Sequence, residues 1–216
     1  MSLSFQRFVL GDFATNCYVI HDGKEAILLD PACPSEELKR WVEEHGLSVS
    51  YIVNTHGHID HIGGNAFFKE AFPSAVLAIH DGDLVYLTRP DLNLSVEVSR
   101  PFVSPLPDLV FQGEETRFSL GNREVEVLVT PGHTPGSICL FFPQEMWLFS
   151  GDTLFLGSVG RTDLPGGSFR DLMASLERIF RRFSDGVLVF PGHGPETSIG
   201  LERKNNAYYL TYIAQK

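Results

Sequence analysis

The sequence predicts a mixed α/β domain on three observations. Short apolar runs of strand length alternate with amphipathic stretches of helix length, turn-forming residues separate them, and no repeat or low-complexity segment interrupts the pattern. FQRFVLG, NCYVIH and EAILLD (5–11, 16–21 and 25–30) read as consecutive strands, the last closing on Asp30-Pro31. PSEELKRWVEEHG (34–46) has the spacing of a surface helix that stops at Gly46. SYIVN (50–54) is a strand leading into a histidine-rich run, GGNAFFKEAF (63–72) a helix leaving it, and AVLAI (75–79) another short strand. Pro90, Pro101, Pro105 and Pro107 mark 89–108 as an irregular loop, because proline removes a backbone donor and fixes φ. Such a loop is either a lid or a surface connection.

The second half repeats the logic. REVEVLVT, SICLFF and MWLFS (123–130, 137–142 and 146–150) are strands, and SFRDLMASLERIFRRF (168–183) is a helix with Ser168 and Asp171 as its start signal. VLVF (187–190) is the last strand and LERKNNAYYLTYIAQK (201–216) a closing helix.

With 216 residues, 43% of them hydrophobic, the chain can fill one core, and a single domain over 1–216 is expected. No apolar run approaches the roughly 18 residues of a membrane span, and MSLSFQRFVLGDF lacks the basic-then-apolar order of a secretory signal. A soluble, cytoplasmic protein without a membrane partner is expected. Cys17, Cys33 and Cys139 are odd in number and lack CxxC spacing, which argues against both a disulfide framework and a thiolate metal site. A formal charge of −10 disfavours nucleic acid as a partner, since phosphate binding needs clustered Lys and Arg. Part of that acidity suits a metal site, where two divalent cations would offset it.

Four apolar runs end in a metal-capable residue: YIVNTHGHIDH, VEVLVTPGHTPG, MWLFSGDTLF and VLVFPGHGPE. Loops beyond the carboxyl ends of strands are where α/β sites assemble, because rigid strands fix the loop residues in space. His56, His58, Asp60, His61, His133, Asp152 and His193 can therefore converge. His56 and His58, two apart in an extended segment, point to one side and can share an ion, whereas Asp60 and His61 fall where the chain begins to coil and suit a second. Seven ligands oversupply one tetrahedral site; two ions sharing a bridging carboxylate use them all. His21, His45 and His80 lack this context and read as surface or capping histidines.

These motifs resemble those of the metallo-β-lactamase fold hydrolases, and among them the small glyoxalase II-like proteins. T-H-x-H-x-D-H stands as Thr55 to His61, the middle histidine in TPGHTPG, the aspartate in SGDTLF and the last histidine in PGHGP. The resemblance covers most of the chain. It implies an αββα sandwich of two mixed sheets with a dinuclear site at one edge. His56, His58 and His133 would hold one ion, Asp60, His61 and His193 the other, with Asp152 bridging and Asp60 and Asp152 as the catalytic carboxylates. An aspartate at the bridge is typical of hydroxyacylglutathione hydrolases, while zinc β-lactamases carry cysteine there. Asp30 matches a family aspartate that steadies the site from behind, against the alternative of an ordinary Asp-Pro turn.

The implied activity is hydrolysis of a small thioester or ester by a metal-bound hydroxide. Zinc is the expected metal; histidine and carboxylate ligands also suit iron or manganese. In GSVGRTDLPGGS (157–168), Arg161 is the candidate clamp for a substrate carboxylate, and Asp163 would hold the loop by pairing with a neighbouring cation. This loop differs from that of glutathione-dependent glyoxalase II, and the stretch after His193 is too short for a glutathione-gripping helical domain. Lys204, with Arg203, Tyr208 and Tyr209, is the candidate for a reduced version of it. The GRTD element is also similar to persulfide dioxygenases of the same fold, which use one iron on two histidines and an aspartate. A metal-binding module without catalysis is the third reading, against which the complete ligand set argues. The sequence leaves the acyl group, the thiol carrier and the oligomeric state open.

Overall fold

In the computed structural model, residues 2–98 and 101–215 are described. Ser99 and Arg100 of the proline-rich stretch, and Lys216 of the closing helix, lie outside them.

The first half forms β1 (Ser4–Leu10), β2 (Thr15–His21), β3 (Glu25–Leu29), α1 (Glu36–Glu44), β4 (Ser48–Val53), α2 (Ile59–Ile62), α3 (Asn65–Ala71), β5 (Val76–His80) and β6 (Leu109–Phe111). The second half forms β7 (Glu115–Leu120), β8 (Arg123–Val129), β9 (Ile138–Phe142), β10 (Trp147–Gly151), β11 (Leu154–Phe155), β12 (Ser158–Val159), α4 (Phe169–Arg182), β13 (Leu188–Pro191), β14 (Thr197–Ser198) and α5 (Ile199–Asn205). β1 to β6 lie in sequence order in one sheet, antiparallel up to β3 and parallel after it. The second sheet runs β14-β13-β10-β9-β8-β7, with β10 and β13 its parallel pair.

Apolar residues on both faces of the strands explain the layering. Along β2, Tyr18 and Ile20 enter the core between the sheets, whereas Cys17 and Val19 face the opposite way, toward the layer that includes Leu38 and Val42 of α1 and Phe68 of α3. In β3, Ile27 and Leu29 face inward while Ala26 and Leu28 face outward. The second sheet is covered likewise: Leu172, Leu176, Ile179 and Phe180 of α4 pack on Leu128, Cys139, Leu148 and Val189. Helices thus cover both outer faces of two packed sheets, the αββα sandwich. Between the sheets Phe5 meets Tyr18, Phe149 and Phe190 edge to face and Tyr18 meets Phe149 likewise, an arrangement that aromatic quadrupoles favour, while Phe149 and Phe190 stack.

The two sheets are tied together at one end. Tyr18 Oη donates to the carbonyl of Pro191 at 2.8 Å. Asn16 Nδ2 donates to the same carbonyl at 3.0 Å and to that of Gly194 at 2.8 Å, and Asn16 N donates to Gly192 O. Thr55 O accepts from Ile138 N, a further link across the layers.

The expected closing helix is interrupted. Asn206 adopts an extended ψ of 116° and its Oδ1 accepts from the amides of Tyr208 and Tyr209, so the side chain ends one helix and starts another turn, a π-helical one at Tyr209–Ile213. Residues 89–98 and 101–108 contain neither helix nor strand, as the prolines predict. They are nevertheless pinned. Asn93 Nδ2 donates to the carbonyls of Tyr86 and Phe102, Asn93 O accepts from Ile59 N, and Ser104 Oγ accepts from Asn65. His45 and His80 do act as caps, of α1 and of the 3-10 turn at Asp81–Leu87.

Candidate metal centre

All seven ligand candidates gather at the end of the sandwich where the sheets are tied. The turn after β4 carries His56 and His58. A side chain at Gly57 would lie 2.3 Å from Tyr86 Cβ, so only glycine fits between the two histidines. Gly57 N donates at 2.8 Å to Asp83 Oδ2, which also accepts from Thr134 Oγ1, while Asp83 Oδ1 accepts from Gly136 N. One buried carboxylate therefore fixes the HGH turn against the HTPG turn. Burial raises the Asp83 pKa despite these donors.

The turn after β8 delivers His133, whose ring stands 4.7 Å, centroid to centroid, from those of His56 and His58. His133 Nδ1 donates to the main-chain carbonyl of Arg161 at 2.8 Å, which aims Nε2 into the site, 3.0 Å from His58 Nδ1. Asp152 follows β10, its Oδ2 3.7 Å from His133 Nε2 and 3.5 Å from His193 Nε2, its Oδ1 3.5 Å from His61 Nε2. His193 follows β13 and donates from Nδ1 to Phe13 O at 3.1 Å, leaving Nε2 3.2 Å from Asp60 Oδ2. Gly192 before it has no room for a side chain, since a Cβ would lie 2.3 Å from Asp152 Oδ1.

Asp30 stands behind this arrangement. It is 1% exposed, accepts from Thr55 N and Thr55 Oγ1 at 2.7 Å each, and places Oδ2 3.0 Å from His61 Nδ1. It holds a left-handed φ of 52°, a conformation that costs about 1 kcal/mol in a non-glycine residue. The Asp-Pro turn and the support of a ligand are here the same residue.

Charge is divided unevenly among the imidazoles. Burial, reinforced by the neighbouring His61, His133 and His58, holds His56 well below the usual histidine range. Burial and His133 bring His58 down to about 3. Burial also opposes charge on His61, but Asp30, Asp60 and Asp152 outweigh it and carry that pKa to about 10. Burial would raise Asp60, yet His61 and His193 hold it below its ordinary value.

The donor set fits metal ions. Three trios have ligand atoms within 4.8 Å of one another: His56, His58 and His133; His56, His61 and Asp152; Asp60, His61 and His193. The first and third are the two sets that the resemblance implied, and Asp152 lies between them. His56 Nε2 and Asp152 Oδ1 are buried without a hydrogen-bond partner, as cation ligands in a chain without the cation would be. Neutral imidazoles and ionised carboxylates are the forms that bind metal, and His56, His58 and Asp60 are held in them, whereas His61 and His193, raised despite burial by the neighbouring carboxylates, would give up a proton to an incoming cation.

A cavity of about 790 Å³ opens onto five of these residues, His58, Asp60, His133, Asp152 and His193. Asp91, Leu94, Glu97 and Val98 of the proline-rich stretch form part of its wall. Arg161 also lines it, in a two-point pair with Asp163: Nε to Oδ1 and Nη2 to Oδ2, both 2.8 Å. Asp163, held by that guanidinium, titrates at about 2. Lys204 sits in the last turn of α5 and does not line the cavity. The supporting groups that sequence reasoning missed are Asp83 and the carbonyls of Arg161 and Phe13. DGDLVY gives no sign of a distant partner, and every residue type offers a carbonyl.

An αββα sandwich with a buried histidine and aspartate cluster at its edge defines a metal-binding hydrolase fold. The chain belongs to the metallo-beta-lactamase superfamily, whose family model matches residues 10–193. It is 32% identical over 203 residues to hydroxyacylglutathione hydrolase GloC of Haemophilus influenzae, covering 91% of this chain and 93% of that one. It superimposes on the BLEG-1 B3 metallo-beta-lactamase with a TM-score of 0.90 at 37% identity, covering 96% and 100% of the two chains. The di-iron-bound form of TTHA1623 gives 0.84 at 36% identity, with 94% and 99% covered. No helix among the described residues is long and apolar enough to cross a membrane.

Proposed function

We propose that this chain is a dinuclear metal-dependent hydrolase of a small thioester or ester. The observation that carries the reading is the meeting of two ligand trios across Asp152, at the floor of a cavity large enough for a small substrate. His56, His58 and His133 would hold one ion, Asp60, His61 and His193 the other, and Asp152 would touch both. Zinc and iron both suit these ligands, and a di-iron form of the similar TTHA1623 supports iron as an alternative to zinc. Bound there, two divalent cations supply a water acidified to near neutral pH and positive charge to meet the developing oxyanion and the departing thiolate.

The chain's own residues prepare that chemistry. Arg161 O and Phe13 O fix the tautomers of His133 and His193, so that Nε2 of each faces the site. Asp30 orients His61, and Asp83 keeps the two histidine turns in register. Phe13, Leu94, Val98, Phe155 and Leu164 give the cavity apolar walls that limit water around the scissile bond.

The test is a substrate panel on purified protein with its metal content measured: thioesters, a lactone, a β-lactam and a persulfide. Two metal equivalents with thioester or ester turnover support the proposal. Oxygen uptake with a persulfide on one iron would overturn it in favour of the dioxygenase reading, and β-lactam turnover alone would move the assignment toward the activity that BLEG-1 is named for.

A further inference from the structure

One wall of the cavity is the β11–β12 hairpin, which supplies Phe155, Ser158 and Val159. Phe155 and Val159 give that wall apolar surface, and Ser158 gives it a hydroxyl. The ring of Phe155 stands edge-on to that of His193, 6.2 Å between centroids, so the hairpin reaches the candidate ligands. Its ladder pairs only Leu154 with Val159 and Phe155 with Ser158, and a ribbon so short does not hold its own shape in water. The base is held by the buried Leu154 and Val159 and by Ser150 Oγ, which donates to Leu154 O at 2.8 Å. The tip needs another support, since Leu156 is 45% exposed and Gly157 turns the chain with a left-handed φ of 68°.

That support comes from the C-terminal segment. Glu202 of α5 is fully buried. Its Oε2 accepts from Gly157 N at 2.9 Å and from Asn206 Nδ2 at 2.8 Å, and its Oε1 accepts from Thr197 Oγ1 at 2.6 Å. Asn206, also fully buried, donates from Nδ2 to Ser158 O at 3.1 Å as well. These donors to Glu202 are all neutral. A carboxylate buried on neutral donors alone is costly, and an apolar side chain would fill the same space without that cost. What the polar groups add is direction: Glu202 fixes the backbone of Gly157, and Asn206 fixes that of Ser158.

A thioester or ester extends an acyl arm and a carrier arm from its carbonyl, and each must lie against a wall of the cavity. Resting on the hydrolase reading, we propose that Glu202 and Asn206 are positioning residues for the substrate. By holding the hairpin tip they set Phe155, Ser158 and Val159 where the substrate packs, and they tune its affinity without touching it or the metal ions. The C-terminal segment thus acts on the cavity through buried groups and not through Lys204.

The decisive variants are Glu202→Gln and Thr197→Val. One amide oxygen cannot accept from three donors, and the amino group of glutamine would face one of them, so Glu202→Gln slackens the hairpin tip. Thr197→Val removes one donor of the same buried cluster, leaves the ties to Gly157 and Ser158 in place, and controls for stability alone. Asn206→Asp keeps Oδ1 for the amides of Tyr208 and Tyr209 but loses the donation to Ser158 O, and serves as the second variant should Glu202→Gln not fold. Each full-length, metal-loaded protein is measured for metal content, melting temperature, and KM and kcat with the phenylacetyl thioester of N-acetylcysteamine. The Kd of phenylacetate, by calorimetry, adds a readout that needs no turnover.

We expect Glu202→Gln to raise KM and the Kd of phenylacetate about five- to tenfold, with kcat within about twofold of the wild type and the metal content unchanged. Thr197→Val should lower the melting temperature and leave both constants alone. Weaker phenylacetate binding in Glu202→Gln without cleavage of any thioester or ester sinks the hydrolase reading and leaves the positioning role standing. Turnover with KM and Kd unchanged in Glu202→Gln, or changed equally in Thr197→Val, overturns the positioning role and leaves the hydrolase reading intact. The positioning role is also overturned by loss of metal in Glu202→Gln, by a fall confined to kcat, by a wild type without affinity for phenylacetate, or by failure of both Glu202→Gln and Asn206→Asp to fold where Thr197→Val folds.

Discussion

His133 leans on Arg161 through the main chain and not through the guanidinium: its Nδ1 donates to the Arg161 carbonyl at 2.8 Å, while the Arg161 side chain is turned to Asp163. The two roles of this residue are therefore separable. Arg161→Ala keeps the carbonyl and should retain the wild-type metal content, while kcat/KM for substrates with a carboxylate on the carrier arm falls about tenfold. Metal analysis and kinetics on the same preparation check this; loss of metal would show that the side chain supports the site.

In the proposed two-ion arrangement Asp152 is the ligand common to both ions. Asp152→Ala should abolish nearly all turnover and reduce the metal content below that of the wild type, with an unchanged circular dichroism spectrum. Hydrolysis at the wild-type rate would overturn the two-ion arrangement.

Asp83 tests how rigid the histidine turns must be. Its carboxylate accepts from Gly57 N, Gly136 N and Thr134 Oγ1, and an amide oxygen in its place can serve only some of these donors. Asp83→Asn should cost about 1–3 kcal/mol through the buried donors it leaves unpaired, and lower metal affinity about 10- to 100-fold. Thermal melting and a metal titration read the two effects. An unchanged affinity would confine Asp83 to stability.

The metal-free chain should weaken in mild acid. Unfolded histidines titrate near 6.5, whereas the folded chain holds His58 at about 3 and His56 well below its ordinary value. Below pH 6.5 the unfolded chain therefore takes up protons that the folded chain does not, and stability falls toward pH 3 by up to about 1.4 kcal/mol per pH unit for each of the two. His61 and His193, both raised, stay protonated in both states across most of that window and add little slope. Their contribution is lost in the other direction, as the pH rises through the folded pKa. Melting temperatures of chelator-treated protein between pH 6.5 and 4.5 should decline; a flat profile would contradict the burial of neutral His56 and His58.

Much of the centre was legible because a strand that ends in histidine or aspartate beside glycine announces itself in one dimension. His56, His133, Asp152 and His193 could be read that way, and the alternation of apolar runs with amphipathic stretches showed a mixed α/β domain, whereas the sandwich followed only from the resemblance of the motifs to a known family. Asp83 could not: its three partners lie 26 to 53 residues away, and nothing local marks it. β7 escaped notice because Glu115, Arg117 and Ser119 are exposed and the strand looks polar, although its other face is partly covered. The break at Asn206 was hidden because asparagine suits both a helix interior and a cap, and only its contacts with Tyr208 and Tyr209 decide which.

The ligands are shared out between the two sheets. His56, His58, Asp60 and His61 follow β4 of the first, whereas His133, Asp152 and His193 follow β8, β10 and β13 of the second. Each trio that could hold one ion draws on both layers. Every ion bound is then a rivet through the sandwich, in addition to the Asn16 and Tyr18 ties to Pro191, and chelation draws it out. The metal supply of a cell would in that way govern how long each copy of the chain survives as well as how fast it works.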